Sequence, residues 1–166
     1  MGNLTDISYD GIRNMILLNC EALTAVTYAC IPYMPGKSRI LMLASSASFA
    51  PQPEFAVYAA SKSFVLSFSR ALRQELKDRK ITVTAICPGP VNTEFFDAAG
   101  STKKMSSVKK MSMAKPEAVV EKALKDASLG RELSVYGMMM KGSLFASKCI
   151  PHGILVPIMD RILNKK

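Results

Sequence analysis

A chain of 166 residues, 49% hydrophobic, can bury one moderate core, and it is read as a single domain over 1–166. Its formal charge of +9 invites an anionic partner, yet the cations form no Arg-rich or aromatic-interleaved pattern, which argues against nucleic acid. One histidine and no carboxylate cluster argue against a protein-bound catalytic metal.

Ser8 or Asp10 can open a long helix that runs through Met15, Leu18, Leu23, Val26 and Ile31 until Pro35-Gly36 stops it. An apolar strand-like run over 39–44 ends in Ser45-Ser46-Ala47-Ser48, with Pro51 and Pro53 beyond. A second helix is predicted over 57–78: Val65, Phe68, Leu72 and Leu76 recur at helical spacing, with Arg70, Arg73 and Lys77 on the wet side. A strand over 81–86 then ends in Cys87-Pro88-Gly89-Pro90-Val91-Asn92-Thr93. The polar stretch that follows carries Lys103, Lys104, Lys109 and Lys110. A helix opens at Lys115-Pro116-Glu117, where proline suits the first turn, and Glu132 to Tyr136 reads as a short third strand ended by Gly137. Strands separated by helices imply parallel pairing with right-handed crossovers, an α/β fold.

The last residues, 138–166, form an apolar and basic extension: Met138-Met139-Met140, Leu144-Phe145 and the run from Ile150 to Met159, then Arg161, Lys165 and Lys166. Lys141, Lys148, Pro151 and Pro157 interrupt it, so it holds no uninterrupted span for a bilayer. It can cap a substrate pocket, lie on a membrane surface or pack as ordinary core. Cys20, Cys30, Cys87 and Cys149 show no metal-binding spacing, three of them lie in apolar helix or strand contexts, and they are predicted to be reduced core residues of a cytoplasmic protein. The polar N-terminus lacks a basic segment, so no signal peptide is predicted.

Tyr58 and Lys62 are spaced i,i+4, one turn apart on one helix face, where both can act on one group. A free phenol titrates at about 10, so ionisation near neutrality requires about 4 kcal/mol of differential stabilisation, and a neighbouring ammonium has the right sign. Ser45, thirteen residues before Tyr58, can hydrogen-bond a carbonyl oxygen while Tyr58 gives or takes its proton. No side chain can supply a hydride, so a cofactor is required. Ser46 or Ser48 remains open as the hydroxyl, Asn19 as a solvated helix residue, and Pro88-Gly89-Pro90 as a plain strand-ending turn.

The order Ser45, Tyr58-Ala59-Ala60-Ser61-Lys62, then Pro88-Gly89 after the next strand closely resembles the short-chain dehydrogenase/reductase family, from about Gly2 to Phe96. The resemblance implies a partial Rossmann-like, doubly wound parallel sheet and an NAD(P)-dependent oxidoreductase interconverting a secondary alcohol and a ketone. It makes Tyr58 the general acid/base and Ser45 the carbonyl-orienting hydroxyl. Lys62 lowers the Tyr58 pKa and holds the nicotinamide ribose, and Asn19 anchors a water in the proton relay. Pro88, Gly89, Val91 and Thr93 pass the nicotinamide ring. The implied cofactor is NADP or NAD, with NADP put first, and 97–115 becomes a flexible substrate lid. The implied substrate is a small carbonyl or alcohol, lipid-like or steroid-like given the apolar C-terminus, and a homo-oligomer is implied through the helices at 8–34 and 57–78.

The family pattern begins with a strand, a glycine-rich turn and a helix whose N-terminus receives the pyrophosphate, yet this sequence contains no Gly-x-Gly. The chain is therefore expected to correspond to the C-terminal portion of such an enzyme, truncated at the N-terminus. Two further expectations follow. The strand at 39–44 presents an open apolar edge, and the alternative function is a non-catalytic remnant that keeps only helix-mediated association.

Overall fold

A computed structural model describes residues 2–93 and 113–163. Most of the predicted lid, including Lys103, Lys104, Lys109 and Lys110, lies outside the described residues, as do Phe96, Lys165 and Lys166. Three strands, β1 (Arg39–Leu43), β2 (Thr82–Ile86) and β3 (Leu133–Ser134), form one sheet in the order β1-β2-β3. Both pairings are parallel, Met42 facing Ala85 and Ile86 facing Ser134, as the alternation of strands and helices implies.

The first helical run consists of α1 (Tyr9–Ile16), a π-helical turn (Leu17–Ala22), α2 (Leu23–Cys30) and a 3-10 turn (Ile31–Tyr33). Ser8 caps it, its hydroxyl accepting from the Gly11 amide at 3.2 Å. Met34 ends it in extended backbone, as the residue before a proline must. α3 (Ala56–Glu75) lies on one face of the sheet, burying Val65, Leu66 and Leu72 against Met42, Val83 and Ala85. It stops three residues short of the predicted end, because the chain turns through Lys80 at φ 58° to enter β2. Arg73, predicted on the wet side, instead donates to the carbonyls of Val83 at 3.0 Å and Gly130 at 2.6 Å, tying helix to sheet.

α4 (Pro116–Ser128) covers the opposite face of β2 and β3. It ends in a Schellman-type turn: Gly130, at φ +65°, donates to Ala127 and Arg131 donates to Asp126. The pairing register puts Leu41 and Leu43 on this same face, but at β1 the helix no longer reaches, and Leu43 is 58% exposed. The expected apolar edge is thus present among the described residues. The C-terminal extension, read from sequence without secondary structure, forms two helices, α5 (Met138–Cys149) and α6 (His152–Leu163). Pro151 falls between them, and Pro157 is carried inside α6.

The cysteines need correcting. Cys87 is fully buried, Cys20 is half-buried, and Cys30 and Cys149 are exposed. Cys30 lies on the outward stripe of α2 with Val26, so an apolar helical context placed it on the surface side.

Asp126 is the buried charged side chain among the described residues. Lys122 Nζ and Arg131 donate to its two oxygens at 2.7 and 2.8 Å. Burial opposes its charge, but hydrogen bonds from Lys122 and Ser134 and the charges of Lys122 and Arg131 outweigh that and hold its carboxyl below the usual range. A depressed folded-state pKa contributes stability above the ordinary carboxylate range, and that contribution is lost as pH falls through the folded value. Asp126→Ala should therefore lower unfolding stability by about 2 kcal/mol at neutral pH. In urea melts the gap between variant and wild type should close in acid; a gap independent of pH would contradict this.

Candidate active site

β1 and β2 end side by side, and the segments that leave them are bonded together: the Ser46 amide donates to the Pro88 carbonyl at 2.8 Å. Ser45 stands at this junction in extended backbone, φ −166°, capping a 3-10 turn (Ser46–Phe49) by accepting from the Ala47 amide at 3.1 Å. The buried Ser48 hydroxyl donates to the Ser45 carbonyl, and Ser63 of α3 donates to the Ser48 carbonyl at 3.2 Å. Ser48 is thus turned to backbone, and it is Ser45 whose side chain hydrogen-bonds Tyr58.

Tyr58 and Lys62 lie in the first two turns of α3, both half-buried. Lys62 Nζ donates to the Leu43 carbonyl at the end of β1 at 2.9 Å and stands 5.9 Å from the Tyr58 ring centre. Burial pushes the Tyr58 phenol above its ordinary value, with the Ser45 hydrogen bond acting the other way. Burial pushes the Lys62 ammonium down, opposed by Cys20. This corrects the expectation of a depressed phenol: desolvation outweighs the Ser45 hydrogen bond, and the phenol stays protonated at neutrality.

Asn19 sits within the π-helical turn, where the first helix meets α3. Its Nδ2 donates to Ser61 Oγ at 3.0 Å, and Ser61 Oγ donates to the Tyr58 carbonyl at 2.8 Å. Asn19 therefore reaches the backbone of Tyr58 through Ser61. Gly89 lies under Met140 of α5: a Cβ there would meet the thioether sulfur at 2.7 Å. Val91 bridges Ala114, and Thr93 is exposed at the edge of the described residues.

Ser61 and Met140 are given no site role by sequence reasoning, and Ser48, left open as the hydroxyl, bonds the Ser45 carbonyl instead. A serine directly before the lysine carried the one available signal for Ser61, since a helical serine buries its hydroxyl by bonding a carbonyl one turn back. An apolar cavity of about 430 Å³ lies against Ala56, Ala59, Ala60 and Ser63, the α3 face opposite Tyr58 and Lys62, with His152 and Val156 of α6 on its wall. Ser48 and Phe49 line the same cavity, so α6 lies beside the turn that Ser45 caps, while Met140 of α5 covers Gly89.

The site suits a nicotinamide riboside: one of the three Lys62 donors is engaged with Leu43, and Tyr58 presents a hydroxyl beside it. The 166 residues hold no Gly-x-Gly to seat a pyrophosphate.

A family model described as short chain dehydrogenase matches residues 1–104. The chain is 28% identical over 155 residues to 17-beta-hydroxysteroid dehydrogenase type 3 of Mus musculus, covering 92% of this chain and 44% of that protein. It is 34% identical over 128 residues to the uncharacterized oxidoreductase YbbO of Escherichia coli K12, covering 73% of this chain and 48% of that one. Among solved structures, a short-chain dehydrogenase from Sphingobium yanoikuyae in complex with NADPH superposes with a TM-score of 0.75 at 26% identity, over 93% of this chain and 59% of that chain. The chain thus spans less than half the length of these two curated relatives.

The contact of Gly89 with Met140 yields a double-variant test. Gly89→Ala should destabilise by about 1–3 kcal/mol through overpacking, and adding Met140→Ala should recover most of the loss. Thermal melts that show additive losses would contradict the contact.

Proposed function

The chain belongs to the short-chain dehydrogenase family, and from that premise we propose that it carries the catalytic half of an NAD(P)-dependent oxidoreductase interconverting a secondary alcohol and a ketone. The observation that carries this reading is the hydrogen bond between Ser45 and Tyr58 with Lys62 one turn further on. In the reducing direction the ketone oxygen sits between the Ser45 and Tyr58 hydroxyls, and Tyr58 donates its proton to that oxygen. A phenol held protonated by burial suits this acid role. Lys62 stabilises the phenolate left behind and holds the ribose hydroxyls. Asn19, acting through Ser61, fixes the backbone from which Tyr58 projects. When bound, the nicotinamide supplies the hydride to the carbonyl carbon, which with the proton from Tyr58 balances ketone to alcohol. Pro88, Gly89, Val91 and Thr93 line the path of its ring. NADP is put before NAD, in keeping with the NADPH named for the Sphingobium structure.

The substrate is an apolar, lipid-like or steroid-like carbonyl, a reading supported by the Met140 cover over Gly89 and by the name of the mouse relative. The protein acts in the cytoplasm as a homodimer through the outward faces of α1, α2 and α3. There Ile16, Tyr28 and Phe64 leave apolar surface around a shallow groove. That face also explains why the run Tyr9–Tyr33 is apolar enough by length and composition to cross a membrane. A second reading, a non-catalytic association module, is favoured by one feature: no Gly-x-Gly occurs to seat the pyrophosphate.

Tyr58→Phe should lower turnover by about 10²–10⁴-fold with cofactor affinity nearly intact. Lys62→Ala should damage both. Ketone reduction should hold through neutral pH and fall only in the alkaline range, as the phenol, raised above its ordinary value, loses its proton. Normal turnover by the Tyr58→Phe protein would refute the acid/base role, and a folded wild type without turnover would favour the association module.

A further inference from the structure

α5 turns Met140 and Leu144 inward onto the core. Its opposite stripe stays outside: Met138 is 82% exposed and Phe145 70%. Lys141 and Lys148 lie four residues before and three after Phe145, on the same side of the helix. α6 repeats the arrangement, with Ile154, Ile158 and Arg161 at i, i+4 and i+7, all exposed. From Met138 to Leu163 the only carboxylate is Asp160. Each helix therefore presents bulky apolar groups interleaved with cations.

We propose that the outward faces of α5 and α6 dock on an anionic lipid surface. Phe145, Ile154 and Ile158 enter the headgroup and acyl boundary while Lys141, Lys148 and Arg161 extend their stems to the headgroups. Charge selects this occupant. A second copy pairing by two-fold symmetry would bring the same cationic stripe against itself, whereas an anionic leaflet neutralises it. The helices lie on the surface and do not span: twelve residues each reach only about 18 Å against a hydrocarbon core of about 30 Å. The docking face is distinct from the Tyr58 site and does not rest on the catalytic reading.

The test is co-sedimentation of the 166-residue protein with vesicles of mixed phosphatidylglycerol and phosphatidylcholine, against phosphatidylcholine alone. Binding should require the anionic lipid and be released by high salt. Replacing Lys141, Lys148 and Arg161 together by Gln should cut the vesicle partition coefficient roughly a hundredfold. Phe145→Ser should weaken binding with the cations intact, and Lys141→Arg with Lys148→Arg should retain it. All these side chains are exposed, so circular dichroism should show each variant folded. Four results would overturn the proposal: no binding to anionic vesicles, equal binding to neutral ones, an unchanged Gln variant, or retention on heparin without vesicle binding.

Discussion

The parallel pairing of β1 with β2 places everything chemical in this protein. Leu43 stands opposite Ile86, so both strands release the chain at the same end of the sheet, and the Ser46 amide closes onto the Pro88 carbonyl. Ser45 and Gly89 leave that junction on adjacent segments, and the Leu43 carbonyl accepts a hydrogen bond from the Lys62 ammonium. A slip of register would separate Ser45 from Tyr58 and turn every β1 side chain to the opposite face. The pairing is held from outside the site. Arg73 donates across to β2 and to Gly130, and the buried Asp126 fastens α4 to the start of β3.

α3 carries the burden of precision. Its first turns hold Tyr58 and Lys62, and the same turns are clamped by Asn19 through Ser61 and by the Ser63 bond to Ser48. The π-helical turn at Leu17–Ala22 lies where Asn19 crosses to α3; departures from regular helix of this kind mark functional positions in many proteins. Burial then sets the charge state. A phenol raised by desolvation is a proton donor at neutral pH, and the ammonium beside it stabilises the anion after transfer.

The sheet and its helices were legible because periodicity and punctuation agreed: Ser8 at a cap, Pro116 at a first turn, apolar runs before Ser45 and Cys87. The Tyr58 to Lys62 spacing and its order with Ser45 and Pro88 were legible for the same local reason. The Asn19 to Ser61 bond joins residues 42 apart, and the cover of Met140 over Gly89 depends on where α5 packs, so neither leaves a local trace. The direction of the Tyr58 shift was missed because spacing reveals a neighbouring charge but not the burial that sets the shift. Cys30 was misplaced because an apolar helix with an uncovered face reads like a buried one. α5 and α6 escaped notice because their prolines suggest interruption, while Pro151 sits before α6 and Pro157 is tolerated within it.

The outer edge of β1 and the outward stripe of the first helical run are uncovered among the described residues. Both adjoin elements that hold the site, so the completeness of the cofactor seat is the central matter. The direct measurement is calorimetric titration of the folded 166-residue protein with NADPH and then NADH, with Lys62→Ala as the control. The account predicts saturable binding that the Lys62→Ala variant loses, because the nicotinamide-ribose seat is built from Lys62, Tyr58 and the Pro88 segment. No saturable binding of either nucleotide by the folded chain would contradict it.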